Sequence, residues 1–438
     1  MIEPAALDFS AVHERLATLD PVRVSGRVTD VVGLVVEASG PGAPVGALCH
    51  IGTPSGAAIP AEVVGFRTGR VLLMPLGELA GVAPGSRVEL VRERPGVQVS
   101  DALLGRIVDG LGRPLDGKGP IEGGVERLLQ GQPLNPLERR PIDEPLDLGV
   151  RAVNALLTCG RGQRLGIFAG SGVGKSALLG MMARYTRADV NVIGLVGERG
   201  REVREFVERD LGDGLARSVV VAATSDQPPL VRIRGALLAA TVAEHFRDRG
   251  QDVLLMMDSL TRVAMAQREV GLSVGEPPSS RGYTPSVFAL LPRLLERAGQ
   301  GAHGSITGLY TVLVEGDDMN EPIADTARSI LDGHVVLSRK LASEGHYPAI
   351  DVLASLSRVM VDIAAPEHLT WATRVRAWLS TYRDAEDLIQ IGAYQRGASA
   401  AIDEAVDRLP AINGFLRQRL DEPVRFDASA EALRVLAR

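Results

Sequence analysis

Apolar and polar positions change their spacing several times along this 438-residue chain. Over residues 1–20, Phe9, Val12, Leu16 and Leu19 recur at three- and four-residue steps, which predicts an amphipathic helix. Asp8, Glu14, Arg15 and Asp20 lie off that stripe, a mixed charge unlike the basic face of a membrane-surface helix. Two readings stay open for it, a face that docks a partner and a helix packed on its own domain. From Pro21 to about Glu93 the pattern shortens to Val22–Val24, Gly33–Val36, Ala61–Phe66, Arg70–Met74 and Arg87–Val91, separated by Gly and Pro. Such spacing predicts a small β-barrel. Residues 95–150 are rich in Gly and Pro and read as linker. Beyond Val150, Asn191–Val196, Ser218–Ala222 and Asp252–Met257 are continuous apolar runs, as in a parallel sheet covered on both faces. Helical stretches such as Ala236–Phe246 alternate with them, which predicts an α/β domain. After Pro366 the strands stop, and Trp371–Leu379, Ala400–Leu409 and Ile412–Leu420 read as helices. The expected organisation is a docking helix (1–20), a β-barrel (21–95), a central α/β domain (96–365) and a C-terminal helical domain (366–438).

One stretch carries chemistry. Ala169-Gly170-Ser171-Gly172-Val173-Gly174-Lys175-Ser176 follows the apolar run Arg164–Phe168 and precedes a helical pattern opening at Ala177. Strand, glycine-rich turn and helix in that order is the context of a phosphate-binding P-loop. Its glycines let successive N–H groups face one concavity, and the helix N-terminus adds partial positive charge. Lys175 is expected to reach the β- and γ-phosphates and Ser176 to ligate Mg²⁺. Ala169 stands where the strict pattern has glycine. Asp258 ends the run Val253–Met257, the position of an acid that holds Mg²⁺ through water. Glu198 follows Ile193–Val196 across Gly197, at the strand end where ligands sit in α/β sheets. Composition alone leaves Glu198 open between a water-activating base and a member of the solvated cluster 198–202.

The totals narrow the class. A net charge of −6 argues against binding nucleic acid by phosphate neutralisation. Cys49 and Cys159 have neither metal nor disulfide-framework spacing and read as small buried hydrophobes in a reducing compartment. Apolar runs fall short of the roughly 18 residues of a membrane span, and a cytoplasmic location is expected.

Further runs are less generic. Gly197-Glu198-Arg199-Gly200-Arg201-Glu202, Asp258-Ser259-Leu260-Thr261-Arg262, Gly282–Ser286, Tyr347–Asp351 and Ser357-Arg358 resemble the catalytic subunits of rotary ATP synthases and vacuolar ATPases. Glu315–Pro322, Ser329–His334 and Ser225–Pro229 resemble the type III export ATPases, and Leu72–Gly77 with Leu103–Arg106 resembles their flagellar branch more than the injectisome one. The resemblance implies a central P-loop parallel-sheet domain of the RecA/ATP synthase type. Beyond the P-loop residues Ala169 to Ala177, it implies Glu198 as catalytic glutamate, with Arg199 and Arg262 near the γ-phosphate. Arg358 would be an arginine finger acting on the neighbouring subunit, Tyr347 would stack on adenine, and Phe415 would close the adenine pocket. It also implies Mg²⁺-dependent ATP hydrolysis by a homohexamer at the inner face of a membrane export apparatus. The implied partners are a stalk or negative-regulator protein at residues 1–20, export-gate membrane proteins, and chaperone–cargo complexes. Alternatives are an injectisome ATPase, a non-catalytic nucleotide-binding ring subunit, and a ring helicase. The last needs a basic and aromatic RNA platform, for which residues 21–93 offer one aromatic, Phe66.

Overall fold

Short strands of alternating β-branched and polar residues cannot bury one face alone, and six of them close on themselves. They are β1 (Ser25–Val32), β2 (Val35–Ala38), β3 (Leu48–Gly52), β4 (Ala58–Arg67), β5 (Arg70–Pro75) and β6 (Arg87–Arg92). In the computed structural model, which describes residues 24–131, 134–314, 316 and 318–438, they form a closed barrel of order β1-β2-β5-β4-β3-β6. Closure leaves no unpaired edge. Val36, Ile51, Val63, Leu73 and Val88 fill the interior with Cys49, whose thiol burial pushes up to about 11. β3 was not anticipated, because Cys49 and His50 interrupt its apolar character. The helix expected over 1–20 lies outside the described residues.

The chain divides into two units, one ending at Pro95 and the other beginning at Gly96. The segment read as linker at 95–150 carries three short strands: β7 (Gly96–Val99), β8 (Ile107–Asp109) and β9 (Val125–Leu128). β7 pairs with β9, and β8 joins the edge of the main sheet beside a later strand. Runs of three or four residues between turn glycines carry too little pattern to be read as strands.

The main sheet continues with β10 (Arg164–Ala169), β11 (Val190–Val196), β12 (Ser218–Ala223), β13 (Asp252–Asp258), β14 (Gly299–Gln300), β15 (Ser305–Leu313), β16 (Gly333–Leu337) and β17 (Ile350–Ser357). Its order is β17-β16-β10-β15-β13-β11-β12-β8, with β14 on β15. Neighbours along this path are parallel except β16 and β17. Alternate residues feed two cores, one on each face. Ile167, Ile193, Leu195, Leu254 and Met256 point to one, and Phe168, Val192, Val196, Leu255 and Met257 to the other. This explains the continuous apolar runs.

A single turn, Met360–Ile363, and then three longer helices follow, Pro366–Gln390, Ala400–Leu416 and Phe426–Leu436. The two helical runs expected on either side of Pro410 are one helix, and residues 417–420 lie beyond its end. The last helix carries small residues, Ala428, Ser429, Ala430 and Ala432, and was not anticipated. Val375, Trp378, Ile412 and Leu433 bury this subdomain against the same core as the P-loop helix.

The P-loop helix, Lys175–Tyr185, contains Gly180 at its middle. A Cβ there would lie 2.5 Å from the Asp210 carbonyl oxygen, so the helix sits directly on the Phe206–Leu211 segment. Gly180→Ala sets a gain of about 1 kcal/mol in helix propensity against overpacking of about 1–3 kcal/mol. Because the obstacle is backbone, we expect overpacking to win. Thermal unfolding should shift to lower temperature, and an unchanged or higher midpoint would contradict this packing.

Candidate active site

Parallel strands that end on one side of a sheet deliver their next residues to one edge. β10 runs out at Ala169, which is buried, and the chain turns through Gly170–Gly174 into the helix at Lys175. Gly172 and Gly174 have φ of +78° and +89°, values that favour glycine. Val173 tucks into the core, while Ser171, Gly172 and the Ser176 side are exposed.

Two strands away, β13 brings Asp258 to the same edge, and β11 brings Glu198. Lys175 Nζ donates to Asp258 Oδ1 at 2.5 Å and to Glu198 Oε1 at 3.4 Å. Asp258 is nearly sealed from water, its side chain 4% exposed, and Lys175 and Glu198 are each at 13%. Burial works against the Lys175 ammonium, but Asp258 and Glu198 outweigh it and hold its pKa above the usual lysine value. For Glu198 burial is the largest influence. Lys175 pulls the other way, Asp258 and Glu202 add to burial, and the carboxyl is pushed up to about 7. Cation and paired acids therefore meet where the sequence placed them, and Glu198 is part of the buried cluster.

The turn before Glu198 depends on Gly197, with φ +73° and the Arg262 side chain against its backbone. Arg262 thus lies beneath the Glu198 turn, with its buried Nε unpartnered. Arg199 is placed differently. Its side chain is 83% exposed and faces Glu202, because it caps the Gly200–Glu205 helix from outside the sheet edge.

Beside the first turns of the P-loop helix opens a cavity of about 750 Å³, a size suited to a nucleotide. Gly174, Ala177, Met181 and Tyr347 line one part of it. A Cβ on Gly174 would lie 3.4 Å from the Tyr347 ring, which is 44% exposed. Residues 417–422 form the other wall, which sequence reasoning did not identify. Phe415 does not line the cavity. It is 8% exposed in the core, beneath the Arg151 guanidinium, because its helix turns it inward one residue before ending.

Arg358 is distant from all of these. Ser357 pairs with Gly333, at the start of β16, whereas Ile350 pairs with Leu337 at its end. Four residue steps of β16 separate these two pairs, about 13 Å at about 3.3 Å per residue, and β17 bulges between them. Arg358 is exposed at the far end of the sheet, with its guanidinium 3.5 Å from the Arg328 carbonyl.

Magnesium favours hard oxygen ligands shared with substrate phosphates over an all-protein cage. The Ser176 hydroxyl and the Asp258 carboxylate are such donors at the mouth of the anion-binding turn, and they fit. Among the described residues no cluster of three or more His, Cys, Asp or Glu offers a cage.

Barrel, two-faced sheet and P-loop edge together define a nucleotide-binding protein of the ATP synthase alpha/beta type. The model of that family's nucleotide-binding domain matches residues 149–357, and its beta-barrel domain model matches 28–91. The T3SS EscN ATPase C-terminal domain model matches residues 364–435. The chain is 56% identical over 417 residues to the flagellum-specific ATP synthase of Bacillus subtilis, covering 94% of this chain and 95% of that one. It is 51% identical over 435 residues to the type 3 secretion system ATPase of Xanthomonas euvesicatoria, covering 99% and 98%. The assembled ATPase EscN of enteropathogenic E. coli superposes with a TM-score of 0.90 at 45% identity, covering 94% of this chain and all of that one. EscN in complex with its central stalk EscO gives 0.87 at 44% identity, with the same coverage. This chain belongs to the flagellum-specific and type III secretion ATPase family, related to the ATP synthase alpha and beta subunits, and is an ATPase. Among the described residues no helix is long and apolar enough to cross a membrane.

A base must be ionised to accept a proton. With Glu198 titrating near 7, kcat/KM should fall as pH drops below about 7, and E198Q should lose this acid limb with most of its turnover. A limb centred near pH 4.5 in the wild type would show that Glu198 is not the titrating base.

Proposed function

We propose that the chain hydrolyses Mg-ATP to ADP and phosphate in a homohexameric ring, at sites shared between neighbouring copies, and thereby energises flagellar type III protein export. The observation that carries this is the placement of Arg358 at the end of the sheet opposite its own P-loop, across the length of β16. An arginine so placed serves a site only on another copy. The assembled state of EscN supports a ring, and the flagellar relatives support the export role.

At each site the P-loop amides and Lys175 hold the β- and γ-phosphates, so Lys175 passes from Asp258 to substrate. Asp258 and Ser176 would hold Mg²⁺, which would supply neutralisation of phosphate charge. Glu198 accepts a proton from the attacking water as its oxygen bonds to the γ-phosphorus and the bond to the β–γ bridging oxygen breaks. Arg262, beneath Glu198, and the neighbour's Arg358 stabilise the charge that develops. Tyr347 receives the adenine.

Residues 1–20 dock a stalk or negative-regulator protein, and the EscN–EscO complex supports a stalk among the partners without bearing on where it docks. Chaperone–cargo complexes and export-gate membrane proteins complete the partners, on the cytoplasmic side of the membrane. The Xanthomonas relative supports the injectisome alternative. Restored motility in a strain lacking its flagellar export ATPase would decide for the flagellar role.

Shared sites make a specific prediction. R358A and E198Q should each lose activity, R358A by about 10³–10⁵-fold. Mixed in equal amounts and reassembled, they should regain activity, because roughly one interface in four then joins an intact Glu198 to an intact Arg358. Absence of recovery in rings verified to contain both variants would exclude a finger acting between copies.

A further inference from the structure

Between β13 and β10 runs β15, whose residue Thr311 is fully buried. Its Oγ1 donates to Asp258 Oδ1 at 2.6 Å and lies 3.3 Å from the Met257 carbonyl. The same oxygen of Asp258 receives Lys175 Nζ. One carboxylate oxygen thus carries two donors, one from the sheet interior and one from the P-loop.

These donors differ in mobility. Lys175 has a long flexible stem and is the group that phosphates compete for. Thr311 is β-branched, so its χ1 is stiff, and it is held in the central strand by ladder bonding to β10 and β13. We propose that Thr311 is a positioning residue for the cation site: it holds Asp258 by Oδ1 after Lys175 has turned to the phosphates, leaving Oδ2 committed to the water shell of Mg²⁺. The inference rests on the reading of Asp258 as the Mg²⁺-holding acid. A hydrogen bond from an uncharged, immobile donor keeps the carboxylate oriented without competing for its charge. Residues that orient metal-holding groups in this way typically contribute 10–100-fold to metal affinity.

The test measures binding, not turnover. Affinity of purified protein for a fluorescent ADP analogue is titrated with Mg²⁺ and, separately, in EDTA. Wild type should bind in EDTA and tighten on adding Mg²⁺. Thr311→Val keeps the shape without the hydroxyl and should bind as wild type in EDTA. Its half-saturating Mg²⁺ concentration should rise roughly 10–100-fold. Thr311→Ser keeps the hydroxyl and should restore the wild-type value. An unshifted Mg²⁺ dependence in Thr311→Val, or a Thr311→Ser variant as impaired as Thr311→Val, would overturn the proposal. If Thr311→Val does not fold, Thr311→Ala carries the same expectation and the same refutation. Failure of the underlying reading looks different: Asp258→Asn would then leave the Mg²⁺ dependence of wild-type binding unchanged.

Discussion

A buried ammonium wedged between two carboxylates is the interaction on which the rest of the site depends. Isolated charges so poorly hydrated would be costly, and they persist only because each satisfies another. Lys175 comes from a turn, Asp258 and Glu198 from the ends of separate strands, and Thr311 from the strand between β13 and β10. Bringing them within hydrogen-bond reach requires that β10, β15, β13 and β11 all run the same way and end level. A parallel sheet covered on both faces provides that, and its two-sided burial is written in the runs 190–196 and 252–257. The same dryness that makes the ion cluster expensive pushes Glu198 up to about 7, so proton affinity and architecture have one origin.

Strand direction also separates two arginines that sequence spacing could not. Arg262 opens a helix immediately after β13 and therefore returns beneath the Glu198 turn at the P-loop edge. Arg358 follows β17, the antiparallel strand of the path, and is carried to the opposite edge. Reversal of that one strand sets Arg358 and Tyr347, close in sequence, at opposite ends of the sheet. The sheet thus presents the P-loop at one end and the exposed Arg358 side chain at the other.

Legibility in the sequence followed the strength of local constraint. The P-loop, Asp258 and the long apolar strands were readable because each obeys a rule with few alternatives: positive φ at glycine, an acid at a buried strand end, burial on both faces. Glu198 was ambiguous because Glu198-Arg199-Gly200-Arg201-Glu202 is charged throughout, and only the fold shows Glu198 turned inward and Arg199 outward. Phe415 was named from the resemblance alone, and the fold turns its ring into the core and not into the cavity. Thr311 sits in a wholly apolar-looking strand context, Tyr310-Thr311-Val312, and gives no local sign of its partner 53 residues earlier. Strands β7 to β9 are too short for periodicity to register.

The cavity wall at 417–422 joins the helical subdomain to the cavity beside the P-loop helix. Gln418 is nearly buried and uses every polar atom of its amide group: Oε1 accepts from Arg151 N, while Nε2 donates to the carbonyls of Gly149 and Glu422. Its own N–H donates to the Tyr347 carbonyl at 3.0 Å. Arg151 reaches back to the carbonyls of Phe415 and Arg417 and pairs with Glu422. Removing any one partner would strand a buried donor or acceptor, a cost of about 1–3 kcal/mol. Tyr347, the wall and the end of the Ala400–Leu416 helix are therefore joined in one hydrogen-bonded network. Phe415, drawn into the core beneath Arg151, anchors the end of that helix, and the network ties the Tyr347 side of the cavity to the C-terminal helices.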